Sequence, residues 1–475
     1  MSLYQWLTET AVVSDLAIET TRGDRLTYFD LHRVVERAAD ALLDRGVGPG
    51  RVVVMAARTP FETLLGVLAT LAAGAAAWPV DSRLGIDRQR EAIALAQPAI
   101  VISGFGPDRQ PIFTPAGGEP RVVPDEAALI LSTSGSTGRS KHVVLSSDAL
   151  QANVSAILSY LPVRSTSRSA ILLPLSYSYA LVGQAFVSLR AGAGMVLLGD
   201  LPYPVKILER MVELGVTGLS TVPANLQLLA QAALERPEQR PQLAFVASAG
   251  SPLERSIIDL ARRAFPEARL FNQYGLTEAG PRVTALSDDH AAFEEGSVGR
   301  PLPGMTVRVI DEDGQELPEG VVGDLVVESP SLMMGYLDDP EETARVLTPA
   351  GLRTGDRGCA DARGFLYVVG RSDGVVQCAG ERVSLRELEE LMEAVPGVSL
   401  ACVVAVPDEL LGNRLVGFVE TSGGGLDAVR ARMHSLPAAK RPQWLIERSE
   451  LPRLGNGKVD RQRLQHDAVR ATGQH

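Results

Sequence analysis

The sequence predicts an α/β protein: a large N-terminal domain of layered sheets and helices with a β-rich subdomain, followed by a small α+β C-terminal domain. Three observations predict it. Over roughly the first 300 residues, stretches with apolar residues at helical spacing alternate with short apolar runs bounded by turn residues, the pattern of helices layered on largely parallel strands. From about Gly299 the apolar runs crowd together between Gly/Asp turns, as in a β-rich subdomain. After Gly370 a new unit of helix, strand and helix begins, and 475 residues exceed what one ordinary core serves.

The elements follow in chain order. Residues 28–44 repeat apolar side chains at helical spacing, 52–56 (VVVMA) is a strand-like run, and 61–71 is helical again. The long apolar stretch 64–80 is broken by Gly66, Gly74 and Pro79, whereas a membrane span wants ~20 apolar residues. It reads as a buried helix leading through a Gly-Ala turn into a strand. The runs 99–102, 127–131, 170–173, 195–198 and 243–246 are further strands. In the β-rich part the strands are 307–310, 323–328 and 365–369. Beyond it come a short amphipathic helix at 385–392, a strand at 401–406 and a helix at 427–434. The glycines 423–425 read as a hairpin or loop tip, and the last five residues, ATGQH, as a loose tail.

Bulk properties exclude several classes. A net charge of −11 and the absence of a Lys/Arg block argue against nucleic-acid binding. Cys359, Cys378 and Cys402 are too few and too scattered for a disulfide framework or zinc site, and read as small buried hydrophobes. The opening MSLYQWLTET lacks a basic stretch followed by an apolar one, so no signal peptide is expected and the cytoplasm is the expected location.

The chemistry concentrates in a few loops. Residues 131–141, LSTSGSTGRSK, follow a predicted strand. Glycines there allow positive-φ turns that aim successive N–H groups into one concavity. Hydroxyls from Ser134, Ser136 and Thr137 and charge from Arg139 and Lys141 complete a cradle for a polyphosphate. The alternative, an ordinary polar surface loop, is the less favoured reading of such a cluster. It is no Walker A loop, because the spacing G-x-x-x-x-G-K-[ST] is missing. Residues 272–278, NQYGLTE, put an aromatic ring, a hydroxyl and a carboxylate on one strand-to-loop corner. Residues 352–356, LRTGD, present a carboxylate after a glycine turn. Residues 370–383 form a charged, glycine-containing segment, and 451–461, LPRLGNGKVDR, carry a lysine on an Asn-Gly turn.

These five segments, in this order, resemble the motifs of the adenylate-forming superfamily of acyl-CoA synthetases, peptide-synthetase adenylation domains and luciferases. The resemblance implies an AMP-forming ligase that uses ATP and Mg2+, with an N-terminal domain over 1–370, a mobile C-terminal domain over 374–475 and a hinge at 371–373 centred on Asp373. It implies nucleotide contacts from Thr133, Ser134, Gly135, Ser136, Thr137, Gly138, Lys141, Gly250, Tyr274, Thr277, Asp356 and Arg371. Tyr274 would lie against adenine, Thr277 touch the α-phosphate, Asp356 hold the ribose hydroxyls, and Glu278 bind the metal. Lys458 would be the catalytic lysine, offsetting the like charge of a carboxylate approaching a triphosphate. Two departures stand out: His142 replaces a usual glycine, and Gln377 a frequent lysine. His142 either narrows the space behind the phosphate loop, the favoured reading, or brings a titratable group near phosphate.

The acid pocket is read from 173–181, LPLSYSYAL, which resembles the 4-coumarate and aryl-CoA ligases. Tyr177 stands at their gating histidine and Tyr179 at their pocket tyrosine, with Ser248 and Gly275 completing the pocket by the same resemblance. No acid occurs between Ser169 and Gly199, so an α-ammonium would be left unpaired there and α-amino acids are disfavoured. An aryl or cinnamic-type acid is favoured, then a medium-chain fatty acid. The acceptor is expected to be CoA or the phosphopantetheine of a separate carrier protein. A non-thiol acceptor, as in amide formation or nitrite-dependent diazotisation, stays open. So does a non-catalytic nucleotide-binding role, against which the intact Thr277, Glu278, Asp356, Arg371 and Lys458 argue. The chain is expected to be a monomer or homodimer.

Overall fold

The computed structural model describes the chain except residues 85, 134–140, 200, 202, 372–373, 379–380, 409–411, 422–424, 435, 437–440, 455–456 and 473–475; at 371, 375, 377, 381, 382 and 412 it describes the backbone alone. The expected loop tip at 423–425 thus falls mostly outside the described residues. Among those described, one compact unit takes in the chain up to 354 together with 359–368; a second takes in 355–358 and the chain from 369 on.

The first unit is built on three sheets. In the largest, the strands Leu16–Thr20, Gly194–Leu197, Arg168–Ile171, Gly218–Thr221, Phe245–Ser248 and Arg269–Tyr274 lie side by side and parallel, with antiparallel strands at both edges. A second sheet sets Ile100–Phe105, Val52–Met55, Ala76–Pro79 and Ala127–Thr133 parallel, then pairs the last with Lys141–Ser146 in a hairpin. Such strands are covered on both faces, which is why they read as continuous apolar runs. All four residues of Val52–Met55 and of Phe245–Ser248 are buried. The third, antiparallel, pairs Thr306–Ile310 with Gly323–Glu328.

Local signals start the helices. Thr27 and Asp30 form a reciprocal capping box on Tyr28–Leu43, and Thr59 and Glu62 form another on Pro60–Ala72, which also opens on proline. The stretch 64–80 is the expected buried helix, followed by a turn at Gly74 and the strand Ala76–Pro79. Among the described residues, no helix is long and apolar enough to cross a membrane.

The second unit folds the antiparallel pair Val398–Asp408 and Gly412–Thr421, with Trp444–Arg448 parallel alongside, against the helices Leu385–Glu393, Leu426–His434 and Arg461–Thr472. Of the five residues expected to form a loose tail, Ala471 and Thr472 close the helix Arg461–Thr472, which Leu464 and Ala468 anchor in the core, and 473–475 lie outside the described residues. Cys378 and Cys402 are buried as expected, and Cys359 is half-buried. Burial pushes the Cys402 thiol up to about 12, so it stays protonated.

Gly299 has φ +96°, and a Cβ there would sit inside the Ala285 carbonyl. Gly299→Ala is expected to cost about 2 kcal/mol or more, read as a lowered unfolding midpoint; an unchanged midpoint would refute this reading of the turn.

Candidate active site

In a parallel sheet the side chains at the carboxyl ends of the strands gather at one edge, where ligands bind. Here that edge presents Thr221, Ser248 and Tyr274. Register pairs Thr221 with Ser248, and Ser248 with Asn272. Ser248 is buried with its Oγ unpartnered. Gly250, just beyond, has φ +92°. Tyr274 is half-buried against the core, and its carbonyl accepts from Val283 N at 2.8 Å.

The corner after Tyr274 is tightly determined. A Cβ on Gly275 would overlap the Pro281 carbonyl, and one on Gly280 (φ +72°) would strike the Asn153 amide. Asn153, fully buried on the helix Ser147–Leu158, donates to the carbonyls of Ala279 at 3.3 Å and Arg282 at 2.9 Å. Asn153 thereby holds down the loop that carries Thr277 and Glu278, both half-buried. Thr277 Oγ1 lies 2.9 Å from Ser178 Oγ. Glu278 Oε1 accepts from the Tyr336 hydroxyl at 2.9 Å.

Tyr336 leads to a charge cluster. The Lys141 ammonium stands 4.9 Å over its ring and is ion-paired with Glu342. Arg345 donates to both oxygens of Glu342 at 2.6 Å. Arg345 first, then Lys141, hold the Glu342 carboxyl down at about 2. Burial first, and the Glu278 charge second, push the Tyr336 phenol well above its ordinary range, so it remains a donor. Sequence reasoning missed Tyr336 and Glu342. The Asp339-Pro340 step, which caps the helix Pro340–Val346, signals a helix start there but not its partners.

The phosphate loop joins the strands Ala127–Thr133 and Lys141–Ser146, in which Thr133 pairs with Lys141. Ser134, Gly135, Ser136, Thr137 and Gly138 lie outside the described residues, as does Asp373. His142 follows the loop. Its ring packs on Trp78 at 4.8 Å between centroids, its Nδ1 is 3.0 Å from Ser132 Oγ, and burial lowers its pKa. It is therefore a neutral packing group at neutral pH.

At the expected acid pocket, Tyr177 accepts from Arg83 Nη2 at 3.2 Å, and Arg83 is bridged to Asp81 at 2.7 Å. Burial raises the Tyr177 pKa. The Tyr179 hydroxyl donates to the carbonyls of Thr221 at 3.2 Å and Ala247 at 3.4 Å. Ser176 and Ser178 are both buried. Sequence reasoning did not find Asp81 and Arg83, which sit nearly a hundred residues from Tyr177.

In the second unit Asp356 is buried on Gly351–Ala360, and Arg371 ends the strand Leu366–Arg371. Lys458 is exposed on a tight turn: Leu454 N donates to Lys458 O at 2.7 Å and Gly457 N to Leu454 O at 2.9 Å. Just beyond, Arg461 Nη2 donates to the fully buried Glu389 at 2.7 Å, and Glu389 also accepts from Val403 N at 2.8 Å. That pair, with Glu389 buried and Arg461 exposed, ties the lysine turn to the core of its unit.

Among the described residues no three His, Cys, Asp or Glu side chains converge. Mg2+ does not require such a cluster, since it keeps several waters and takes one or two carboxylates with phosphate oxygens. A single carboxylate, Glu278, oriented by Tyr336, fits that mode.

Because Glu342 is held below its ordinary 4.5, its contribution to stability is complete above pH 4.5 and is lost as pH falls toward about 2. The gap in unfolding midpoint between wild type and Glu342→Gln should narrow over that window. A gap independent of pH would overturn the pairing.

Comparison with known proteins gives this edge its context. Residues 4–337 match the family model of the AMP-binding enzyme, and 387–458 that of the AMP-binding enzyme C-terminal domain. A feruloyl-CoA synthase from Amycolatopsis sp. is 31% identical over 92% of this chain and 93% of its own. ATP-bound MatB from Rhodopseudomonas palustris superposes with a TM-score of 0.86 at 28% identity, covering 98% of this chain and 99% of its own. The amide bond synthetase McbA from Marinactinospora thermotolerans superposes at 0.82 and 28%, covering 98% of both chains. The chain belongs to the AMP-binding enzyme family, the adenylate-forming superfamily, and is an AMP-forming ligase.

Proposed function

We propose that the protein activates an aryl or cinnamic-type carboxylic acid with ATP and transfers the acyl group to a thiol, either CoA or a carrier-protein phosphopantetheine. The observation that carries this reading is the corner at 274–278, where an aromatic ring, a hydroxyl and a carboxylate leave one strand end and are held by Asn153, Ser178 and Tyr336. The 31% identity to a feruloyl-CoA synthase supports the acid class.

In the first step a carboxylate oxygen attacks the α-phosphorus and pyrophosphate leaves. Thr277 donates to an α-phosphate oxygen, and Tyr274 and Gly250 bound the adenine side. Thr133, the phosphate loop and Lys141 attend the phosphates, while Asp356 and Arg371 take the ribose. Glu278 would hold Mg2+, which when bound would supply charge neutralisation on the phosphates. Lys458 balances the charge that builds as two anions meet. In the second step the thiol sulfur attacks the acyl carbon, the thiol proton leaves, and AMP departs with the bonding pair. One hard condensation becomes two easier displacements. The hinge at Asp373 and the domain limits 1–370 and 374–475 belong to this reading: the C-terminal domain presents Lys458 for the first step and withdraws it for the second.

Tyr177, tethered by Arg83, would set the approach to the pocket that Tyr179, Ser248 and Gly275 line. A second acceptor is favoured by one specific finding, the likeness to the amide bond synthetase McbA, in which case an amine replaces the thiol. We further propose a cytoplasmic location and a monomer or homodimer.

Carboxylate-dependent ATP–pyrophosphate exchange over aryl, cinnamic, fatty and amino acids tests the reading. Exchange is expected with aryl or cinnamic acids, and its absence with every acid would sink it. Lys458→Ala is expected to slow adenylation by ~10²–10³ in single-turnover assays; an unchanged rate would remove Lys458 from the mechanism.

A further inference from the structure

Arg282 is the largest charge buried deep in the first unit. It is 1% exposed, and among the described residues no carboxylate pairs with it. Its Nη1 donates to the Pro281 carbonyl at 2.7 Å, its guanidinium carbon stacks 4.0 Å from the centre of the Tyr179 ring, and the Tyr160 hydroxyl also faces it. Its Nε and Nη2 donate to nothing. A buried cation without a counter-charge is strongly destabilising, and buried donors without acceptors are rare enough that each calls for a partner.

Its surroundings carry the same signature. The helical segment after Tyr177 winds as a π-helix over Leu181–Phe186, a feature found mostly at functional sites. Gly183 on it lies against the guanidinium: a Cβ there would come within 3.2 Å of Nη2. The next residue, Gln184, is 4% exposed with both amide atoms unpartnered, and Ser188 Oγ is likewise unpartnered. Gly183, Gln184 and Ser188 line, with Ser169 and Ser220, a cavity of about 10 Å³, room for one water.

The same segment links Arg282 to the strand ends. Ser178 touches Thr277, and the next residue, Tyr179, stacks on Arg282 while its hydroxyl donates to the carbonyls of Thr221 and Ala247. Arg282 therefore lies against the tyrosine that the resemblance places in the acid pocket.

We propose that Arg282 is a specificity-determining residue: it recognises a second carboxylate at the end of the acid remote from the one that is adenylated, with Gln184, Ser188 and a bridging water supporting it. The assignment rests on the acid-activating reading above and narrows it to acids with an anionic far end. Binding such a group supplies the counter-charge that the folded protein lacks, so its absence is penalised by a buried, unpaired cation.

The test is ATP–pyrophosphate exchange with matched acids: benzoate, 4-hydroxybenzoate and terephthalate, with cinnamate against 4-carboxycinnamate, and hexanoate against adipate. Wild type is expected to favour the dicarboxylic member of at least one set by ~10²-fold or more in kcat/KM, as sites built around a polar substrate group do. Arg282→Met should collapse that ratio to within about threefold, and Arg282→Lys should restore part of it. A preference for the hydroxyl over the carboxylate would overturn the anionic assignment. Wild-type exchange that is indifferent to the far group, or a ratio unchanged in Arg282→Met, would overturn the role of Arg282 while leaving acid activation standing. No exchange with any acid would sink both. Because the wild-type ratio alone can refute the proposal, it survives a variant that fails to fold.

Discussion

The side-chain amide of Asn153 holds the loop on which the chemistry depends. Its Nδ2 reaches the carbonyls of Ala279 and Arg282 from a fully buried position on a neighbouring helix. Buried carbonyls must be satisfied, and no strand partner serves these two, so the amide takes the place of a ladder. Gly275 and Gly280 then become obligatory, because any Cβ would meet the Pro281 carbonyl or the Asn153 amide itself. The loop so clamped carries Thr277 and Glu278, both half-buried, and runs on to the buried Arg282. One hydrogen-bonding group thus fixes the backbone that bears a hydroxyl, a carboxylate and a buried cation.

Around that loop the electrostatics are arranged in sequence. Glu278 is hydrogen-bonded to a neutral phenol, Tyr336, rather than to a cation. It therefore keeps its charge available. Lys141 sits over the same ring but is paired with Glu342, which Arg345 also holds. A polyphosphate arriving at the hairpin would meet a lysine already positioned, with its charge balanced until the anion competes for it. In the second unit the pairing of Glu389 with Arg461 does comparable work, fixing the strand and helix that flank the lysine turn.

Much was legible beforehand. The continuous apolar run 52–56 marked a strand, and helical periodicity over 28–44 and 61–71 placed two helices to within a residue at each end. The glycine- and hydroxyl-rich motifs were legible because close backbone approach and phosphate chemistry restrict residue type at fixed short spacings. The helix Arg461–Thr472 went unread, since polar residues dominate it and its buried anchors are Leu464 and Ala468.

By itself the sequence determined the class of fold, the order of the motifs and the residue types that handle a nucleotide, all properties carried by neighbours along the chain. Tertiary structure decided which side chains meet across long separations. Tyr336 reaches Glu278 over 58 residues, Lys141 reaches Glu342 over 201, and Arg83 reaches Tyr177 over 94. It also decided that Arg282, which reads in the chain as one more polar residue of a loop, is buried against Tyr179 without a counter-ion. The reason is physical: burial and charge pairing depend on the packing of whole sheets and helices, and no local spacing encodes them.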